Sequence, residues 1–250
     1  MRILVTGKRS FAAEGFAERL RSTGHDVVEA SCGEVLPHGR FDAVVNFALR
    51  RNAPVRTVEE DMRNLVEWCV CAGVEHFVQV SSLAVYPPEA GEIDEGTEID
   101  GIEKGDEGYR AMKIAQDRYL LGMASAPFAL SFVRPGVLVD EEGNFRSGGI
   151  GAGVWKCGIV LGGAQTPLAV CERERFHAKL EEVLAAGESC VAIVGRNSTK
   201  KRFLEKTLGG VWMPLPEKAV KAIARVFMTK RAARRVAGLF ARPLLKGESA

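Results

Sequence analysis

Met1-Arg-Ile-Leu-Val-Thr-Gly-Lys-Arg-Ser-Phe-Ala-Ala13 decides how the rest of the chain is read. Arg2–Thr6 is a short apolar strand, and Gly7 follows it directly. Phe11, Ala12, Ala13, Phe16, Ala17 and Leu20 then recur at close to 3.6-residue spacing and predict a helix over about Phe11–Ser22. A strand, a glycine turn and a helix in immediate succession bring backbone N–H groups and the positive end of a helix dipole to one point, where an anion can dock. Gly7 with the small residues Ser10 and Ala13 has the spacing of a degenerate dinucleotide-binding turn. Any βα unit has the same outline, so the motif alone leaves both readings open.

The same alternation continues outward. Asp26–Ala30 reads as a second strand and Ala43–Ala48 as a third, broken in its apolar run only by Asn46. Val58, Met62, Leu65, Val66, Cys69 and Val70 predict a helix that Gly73 ends. His76–Ser81 is a fourth strand, Tyr109 to about Met123 a helix, and Phe128–Val133 a fifth strand. Nearly continuous apolar strands alternating with helices predict an α/β fold around a doubly covered parallel sheet. Beyond Arg134-Pro135-Gly136 the pattern weakens. Asp140–Gly153 reads as a glycine-rich loop, and helices are expected near Arg173–Ala186, near Ser198–Thr207 and after Pro216. The expected division is a ligand-binding domain over 1–140 and a small substrate lobe over 141–250, with the strand Cys190–Val194 able to rejoin the main sheet.

Bulk properties narrow the class. A chain of 250 residues with 46% hydrophobic content sustains a real core. A net charge of +2 argues neither for nor against nucleic acid, and the expected partners are small molecules. The sequence has no evident signal peptide and no long uncharged apolar run, so a cytoplasmic protein without a membrane span is expected. The six cysteines have neither zinc nor redox spacing, and no metal is expected.

Ligands of open parallel sheets bind at the carboxyl ends of the strands. Gly7, the segment Asn46-Phe47-Ala48 and the segment Ser81-Ser82 stand there. Tyr109 opens the next helix, and Lys113 lies one turn later on the same face. A phenol near its ordinary pKa of about 10 is a poor base at neutral pH. An adjacent ammonium favours the phenolate and lowers that value. A nearby serine hydroxyl could hold the substrate oxygen while the proton moves. Tyr-x-x-x-Lys by itself is also a common helical surface pair.

Taken together, Met1–Gly7, Phe41–Ala48, Val74–Tyr86 with its Ser81-Ser82, Tyr109-x-x-x-Lys113 and Val133-Arg-Pro-Gly136 stand in the order of a known family. The chain resembles the extended short-chain dehydrogenase/reductase superfamily, the NAD(P)-dependent epimerases, dehydratases and reductases. The resemblance covers about residues 1–140 and implies a Rossmann-type doubly wound sheet. It implies Tyr109 as catalytic acid/base, Lys113 as the holder of the nicotinamide ribose and Ser82, rather than Ser81, as the catalytic serine. Cofactor contacts are implied at Gly7, Lys8, Arg9, Ser10, Phe11, Ala12, Ser31, Asn46, Phe47, Ala48, Ser81, Tyr109, Lys113, Arg134 and Pro135. Ser82, Tyr86, Arg146 and Arg173 would meet the substrate, with Lys156 and Arg175 as further cations for a pyrophosphate.

Departures from the pattern carry information. Ser10 replaces the second glycine, and Ala13 the third. Ser10 brings a Cβ toward the pyrophosphate and a hydroxyl that could donate to it. Ser31 stands where an acid would mark NAD, while Lys8 and Arg9 could pair with a 2′-phosphate, so NADP(H) is favoured over NAD(H). Pro87-Pro88 stiffens the segment after Tyr86. Two charge runs remain. The acidic run over 89–107 reads as a solvated flap. The basic run from Lys218 to Lys246, with apolar residues between, suits an anionic membrane surface or packing on its own domain. The expected function is an epimerase or ketoreductase acting on a nucleotide-linked sugar, in a possible homodimer. The alternative is a non-catalytic dinucleotide sensor or scaffold of the same fold.

Overall fold

A computed structural model describes residues 1–50, 53–102, 106, 108–123, 125–146, 150–154, 157–161, 165–215 and 243–247. Its elements in order are β1 (Arg2–Thr6), α1 (Phe16–Ser22), β2 (Asp26–Ala30), β3 (Ala43–Asn46), α2 (Val55–Ala72), β4 (His76–Val80), β5 (Glu92–Ile93), α3 (Tyr109–Leu121), β6 (Ala129–Pro135) and β7 (Val137–Val139). They continue with β8 (Gly151–Val154), β9 (Cys157–Leu161), β10 (Pro167–Glu172), α4 (Arg173–Ala186), β11 (Val191–Val194), β12 (Arg196–Thr199), α5 (Lys200–Leu208), β13 (Val211–Leu215) and β14 (Leu244–Leu245). The chain forms two units: Met1–Val85 with Glu98–Arg134 and Glu174–Val194, and Tyr86–Thr97 with Pro135–Arg173 and Gly195–Ala250.

The first unit is a Rossmann-like α/β layer. Its sheet has six strands in the order β11-β6-β4-β3-β1-β2, and β2, β1, β3, β4 and β6 run parallel. Strand β1 pairs with β2 on one side and β3 on the other. The strand order therefore reverses at β1 and β3, the switch point where such sheets open a crevice. On one face, Leu4, Val44, Phe77 and Phe132 pack with Met62, Leu65 and Cys69 of α2 and Leu120 of α3. Burial of these apolar stripes is the main force holding the helices on the sheet. Helices α1 and α4 meet through Phe16 and His177, whose rings lie 5.1 Å apart, and through Arg19, which pairs with Glu174 and Glu181. The strand at 191–194 lies in this sheet next to β6.

Helix α1 starts later than its periodicity predicts. Residues 7–16 instead wind through successive turns, closed by Ser10 N–H to Gly7 O, Ala13 N–H to Ser10 O and Phe16 N–H to Ala13 O. Gly15 then enters the left-handed region at φ 78°, and the helix begins at Phe16. Three-residue turns place side chains at a period near that of a helix, which is why the apolar pattern reads as one.

The second unit is built from small sheets: β12-β10-β7, β13-β9-β8 and β14-β5. Its core gathers Ile150, Val160, Leu168, Val170, Phe203, Leu204 and Trp212. Two expectations are corrected here. Gly151–Val154, read as loop, is a strand antiparallel to β9; its glycines supply no alternation to recognise. Residues 196–199 are a strand rather than the start of a helix. Helix α5 begins at Lys200, where Thr199 Oγ1 accepts from Arg202 N–H. The acidic run is also more tied down than a solvated flap. Leu244–Leu245 pair in parallel with Glu92–Ile93, Asp94 pairs with Lys246, and Asp100 pairs with Arg110. The helix expected after Pro216 and the basic run to Arg242 lie outside the described residues.

Candidate functional site

Gly7 is fixed by packing as well as by its turn. Its φ is 74°, and a Cβ there would stand 2.5 Å from Ala48 N and 2.6 Å from Phe47 C. The turn after β1 thus presses against the turn after β3, at the switch point of the sheet. In this turn Ser10 Oγ accepts from Ala13 N–H at 3.2 Å, and His177 Nε2 lies 2.9 Å from Ala12 O. The Ser10 bond uses an oxygen lone pair, so the hydroxyl hydrogen remains as a donor. Lys8 and Arg9 are exposed, and Phe11 and Ala12 half-buried.

The end of β2 carries a feature that the sequence reading missed. Ser31 is buried, and its Oγ has no partner among the described residues. Its N–H donates to Glu34 Oε2 at 2.7 Å, and Lys8 Nζ lies 3.5 Å from the same oxygen. The backbone hydrogen bond from Ser31, with Lys8 nearby, holds the Glu34 carboxyl below the usual carboxylate range. A small pocket of about 30 Å³ opens beside the ends of β2 and β3, lined by Cys32, Asn46, Ala48, Arg50, Asp61 and Gln116 among others. Arg50 grips Asp61 through two hydrogen bonds of 3.0 and 2.9 Å. The buried Ser31 hydroxyl and the tight Gly7 turn at the switch point of the sheet fit a dinucleotide.

Behind the strand ends runs a buried ladder of side-chain amides. Asn46, Gln79 and Gln116 are 1%, 0% and 3% exposed. Asn46 Nδ2 donates to Gln79 Oε1, and Gln79 Nε2 donates to Gln116 Oε1. Lys113, only 4% exposed, donates to Val80 O at 2.8 Å and to Gln116 Oε1 at 3.0 Å. Tyr109, at the first position of α3, is 47% exposed. One turn of helix therefore carries an accessible phenol and a buried lysine.

The two serines after β4 separate. Ser81 is buried and donates to Asp117 Oδ2 at 2.7 Å, whereas Ser82 is half-buried and its Oγ accepts from Ala84 N–H. Arg134 reaches the same Asp117 oxygen through Nη2 at 3.0 Å and Nε at 3.3 Å. Burial pushes the Asp117 carboxyl up, and Arg134, Ser81 and Lys113 oppose it. The sequence does hold a signal for Asp117 and Gln116: they follow Lys113 by four and three residues on its own helix. Gln79 is the polar residue inside an apolar strand.

In the second unit Tyr86 is 1% exposed and its hydroxyl donates to Asp94 O at 3.4 Å. Pro135 is buried, Arg146 exposed and Arg173 half-buried within electrostatic reach of Asp140. Lys156 lies outside the described residues. Among the described residues no group of His, Cys, Asp or Glu is placed to hold a metal, and no helix is long and apolar enough to cross a membrane.

With this geometry in place, comparison with other proteins gives a consistent answer. Residues 29–142 match the NAD dependent epimerase/dehydratase family. No curated protein matches the sequence. Similar folds occur in a short-chain dehydrogenase/reductase superfamily protein from Agrobacterium tumefaciens with bound NAD (TM-score 0.68, 16% identity, 86% of this chain and 85% of that one). The human epimerase family protein SDR39U1 with NADPH is similar over 98% of this chain and 90% of its own (TM-score 0.67, 18% identity). So is the UDP-glucose 4-epimerase of Thermus thermophilus complexed with NAD, over 86% of each chain (TM-score 0.63, 19% identity). The shared architecture is the Rossmann-like α/β fold, and the stretch 29–142 is similar to the NAD dependent epimerase/dehydratase family.

Proposed function

We propose that the protein binds a nicotinamide dinucleotide at the carboxyl ends of β1, β2 and β3 and interconverts a carbinol and a ketone, with Tyr109 as the acid/base. The observation that carries this reading is the helical pair of an accessible Tyr109 and a buried Lys113. Gly7 to Ala12 would hold the diphosphate, Ser31 and the Asn46–Ala48 segment the adenosine side, and Lys113 the nicotinamide ribose. Bound there, the dinucleotide supplies the hydride acceptor or donor. The Tyr109 phenolate takes the carbinol proton, and the phenol returns it to a ketone oxygen. Lys113 lowers the phenol's proton affinity by its charge. The Ser82 hydroxyl holds the substrate oxygen, and Ser81 and Arg134 fix Asp117 behind it.

The proposed substrate class is a nucleotide-linked sugar, with Arg146 and Arg173 as cations for its pyrophosphate. Its support is the family and the UDP-glucose 4-epimerase among the similar folds. Lys8 and Arg9 favour NADP(H), and the Lys8–Glu34 pair opposes it by supplying a negative charge beside the same turn. A non-catalytic dinucleotide sensor is the second reading, favoured by the self-bonded turn that delays α1 to Phe16.

The test begins with the ultraviolet spectrum and mass of any dinucleotide in freshly purified protein, followed by titration with NADPH and NADH. Retained dinucleotide marks an epimerase, and exchange marks a reductase. Absence of binding at millimolar levels overturns the proposal. Tyr109→Phe is expected to lower turnover by about 10²–10⁴-fold with cofactor binding retained. Retained turnover in that variant removes Tyr109 from the acid/base role.

A further inference from the structure

The amide ladder has a polarity, and that polarity ends on Lys113. Each side-chain amide has a donor end and an acceptor end. Thr6 Oγ1 donates to Asn46 Oδ1 at 2.6 Å, and Ala48 N–H donates to the same oxygen at 3.1 Å. A backbone N–H cannot be reversed, so Asn46 must turn its NH₂ toward Gln79, whose Oε1 accepts at 2.8 Å. Gln79 then turns its own NH₂ outward, to Val80 O at 3.3 Å and Gln116 Oε1 at 3.1 Å. At the far end Gln116 Nε2 donates to Ala48 O at 2.8 Å, and a carbonyl cannot be reversed either. The two peptide groups of Ala48 therefore set the direction of all three amides. Gln116 is left with its oxygen facing Lys113 Nζ at 3.0 Å, beside Val80 O at 2.8 Å. A flipped Gln116 would aim its NH₂ at an ammonium and at the NH₂ of Gln79.

We propose that Gln116 is a positioning residue: the oriented Asn46–Gln79–Gln116 ladder delivers an oxygen to the Lys113 ammonium, keeping that buried amine in place and charged one helical turn along α3 from Tyr109. The inference rests on the reading of Tyr109 and Lys113 as the proton-handling pair. Burial disfavours an ammonium, and acceptor oxygens offset that cost. Among the described residues, Asp117, four residues on along α3, interacts electrostatically with Lys113, and Arg134 of β6 pairs with Asp117. From α2, Asp61 is engaged by Arg50. Among the described residues, Gln116 supplies Lys113 with a side-chain oxygen without adding a negative charge. The ladder also joins the Ala48 turn to the proton-handling pair through side chains that are at most 4% exposed.

The test follows phenolate absorbance against pH in the full-length protein, with dinucleotide bound and without. The chain has three tyrosines, so the difference between the wild type and Tyr109→Phe isolates Tyr109. Gln116→Met keeps the volume and removes the oxygen. It is expected to raise the Tyr109 midpoint by about half a pH unit or more and to move the alkaline-going limb of kcat/KM with it. An unmoved Tyr109 midpoint in Gln116→Met overturns the ladder's role and leaves the proposed function standing. A wild-type Tyr109 that titrates at about 10 in both states overturns the acid/base reading itself, and this inference with it. If Gln116→Met does not fold, Gln79→Met cuts the ladder one step earlier. The same rise there supports the proposal, and an unmoved midpoint overturns it.

Discussion

Asp117 and Arg134 are 0% and 2% exposed at their side chains, yet both are charged residue types. Desolvating such a pair costs several kcal/mol per ion, and good geometry only offsets that. Their value is positional: Asp117 of α3 draws in Ser81 at the end of β4 and Arg134 at the end of β6. Removing one partner strands the other. Asp117→Leu is expected to lose about 3–5 kcal/mol in urea unfolding. Adding Arg134→Met in the same chain is expected to recover most of that loss. A double variant as unstable as the single one would show that the pair's energy lies in packing rather than charge. Asp117 Oδ1 is buried and without a hydrogen-bond partner among the described residues.

At the scale of elements, the turn after β1 is where sequence and structure part most clearly. The strand, Gly7, and the later elements α2, β4, α3 and β6 are legible because long apolar runs with periods of 2 and 3.6 are hard to mistake. The start of α1 was not, because a run of three-residue turns copies a helical pattern and only Gly15 at φ 78° breaks it. In the second unit, strands of two to six residues and glycine-rich β8 carry too few side chains for periodicity to register. The candidate site residues Tyr109, Lys113 and Ser82 could be named from residue type and spacing. Gln79 and Glu34 could not, since their role depends on which segments the fold brings side by side, and the signal for Gln116 was only its place three residues after Lys113. Gly7→Ala tests the turn. It forces a left-handed φ on alanine and drives a Cβ to 2.5 Å from Ala48 N, so a loss of about 2–4 kcal/mol is expected by thermal or urea unfolding. Dinucleotide affinity should fall with it, because the displaced turn is the proposed diphosphate cradle.

Stability of the whole protein should depend on pH through a residue far from this chemistry. His76 is 5% exposed, and burial pushes its imidazole below the usual value. Ser131 Oγ donates to Glu188 O, so it accepts from His76 Nε2–H, while Nδ1 has no partner among the described residues. Below about pH 6.5 an unfolded chain protonates this ring and the folded chain resists. Stability is therefore expected to fall as pH drops from about 6.5 to the lowered folded value, then to stop responding to this group. His76→Asn should flatten that part of the urea-midpoint profile, and an unchanged slope would assign it to another group. A last consequence comes from the pairing of Glu92–Ile93 with Leu244–Leu245, backed by two hydrogen bonds of 2.8 Å between Asn197 and Leu245. This contact closes a loop of about 150 residues, at an entropy cost that short-range contacts never meet. A chain emerging from the ribosome therefore carries β5 without its β14 partner for about 150 residues of further synthesis, and this pairing forms only after residue 245 has been made.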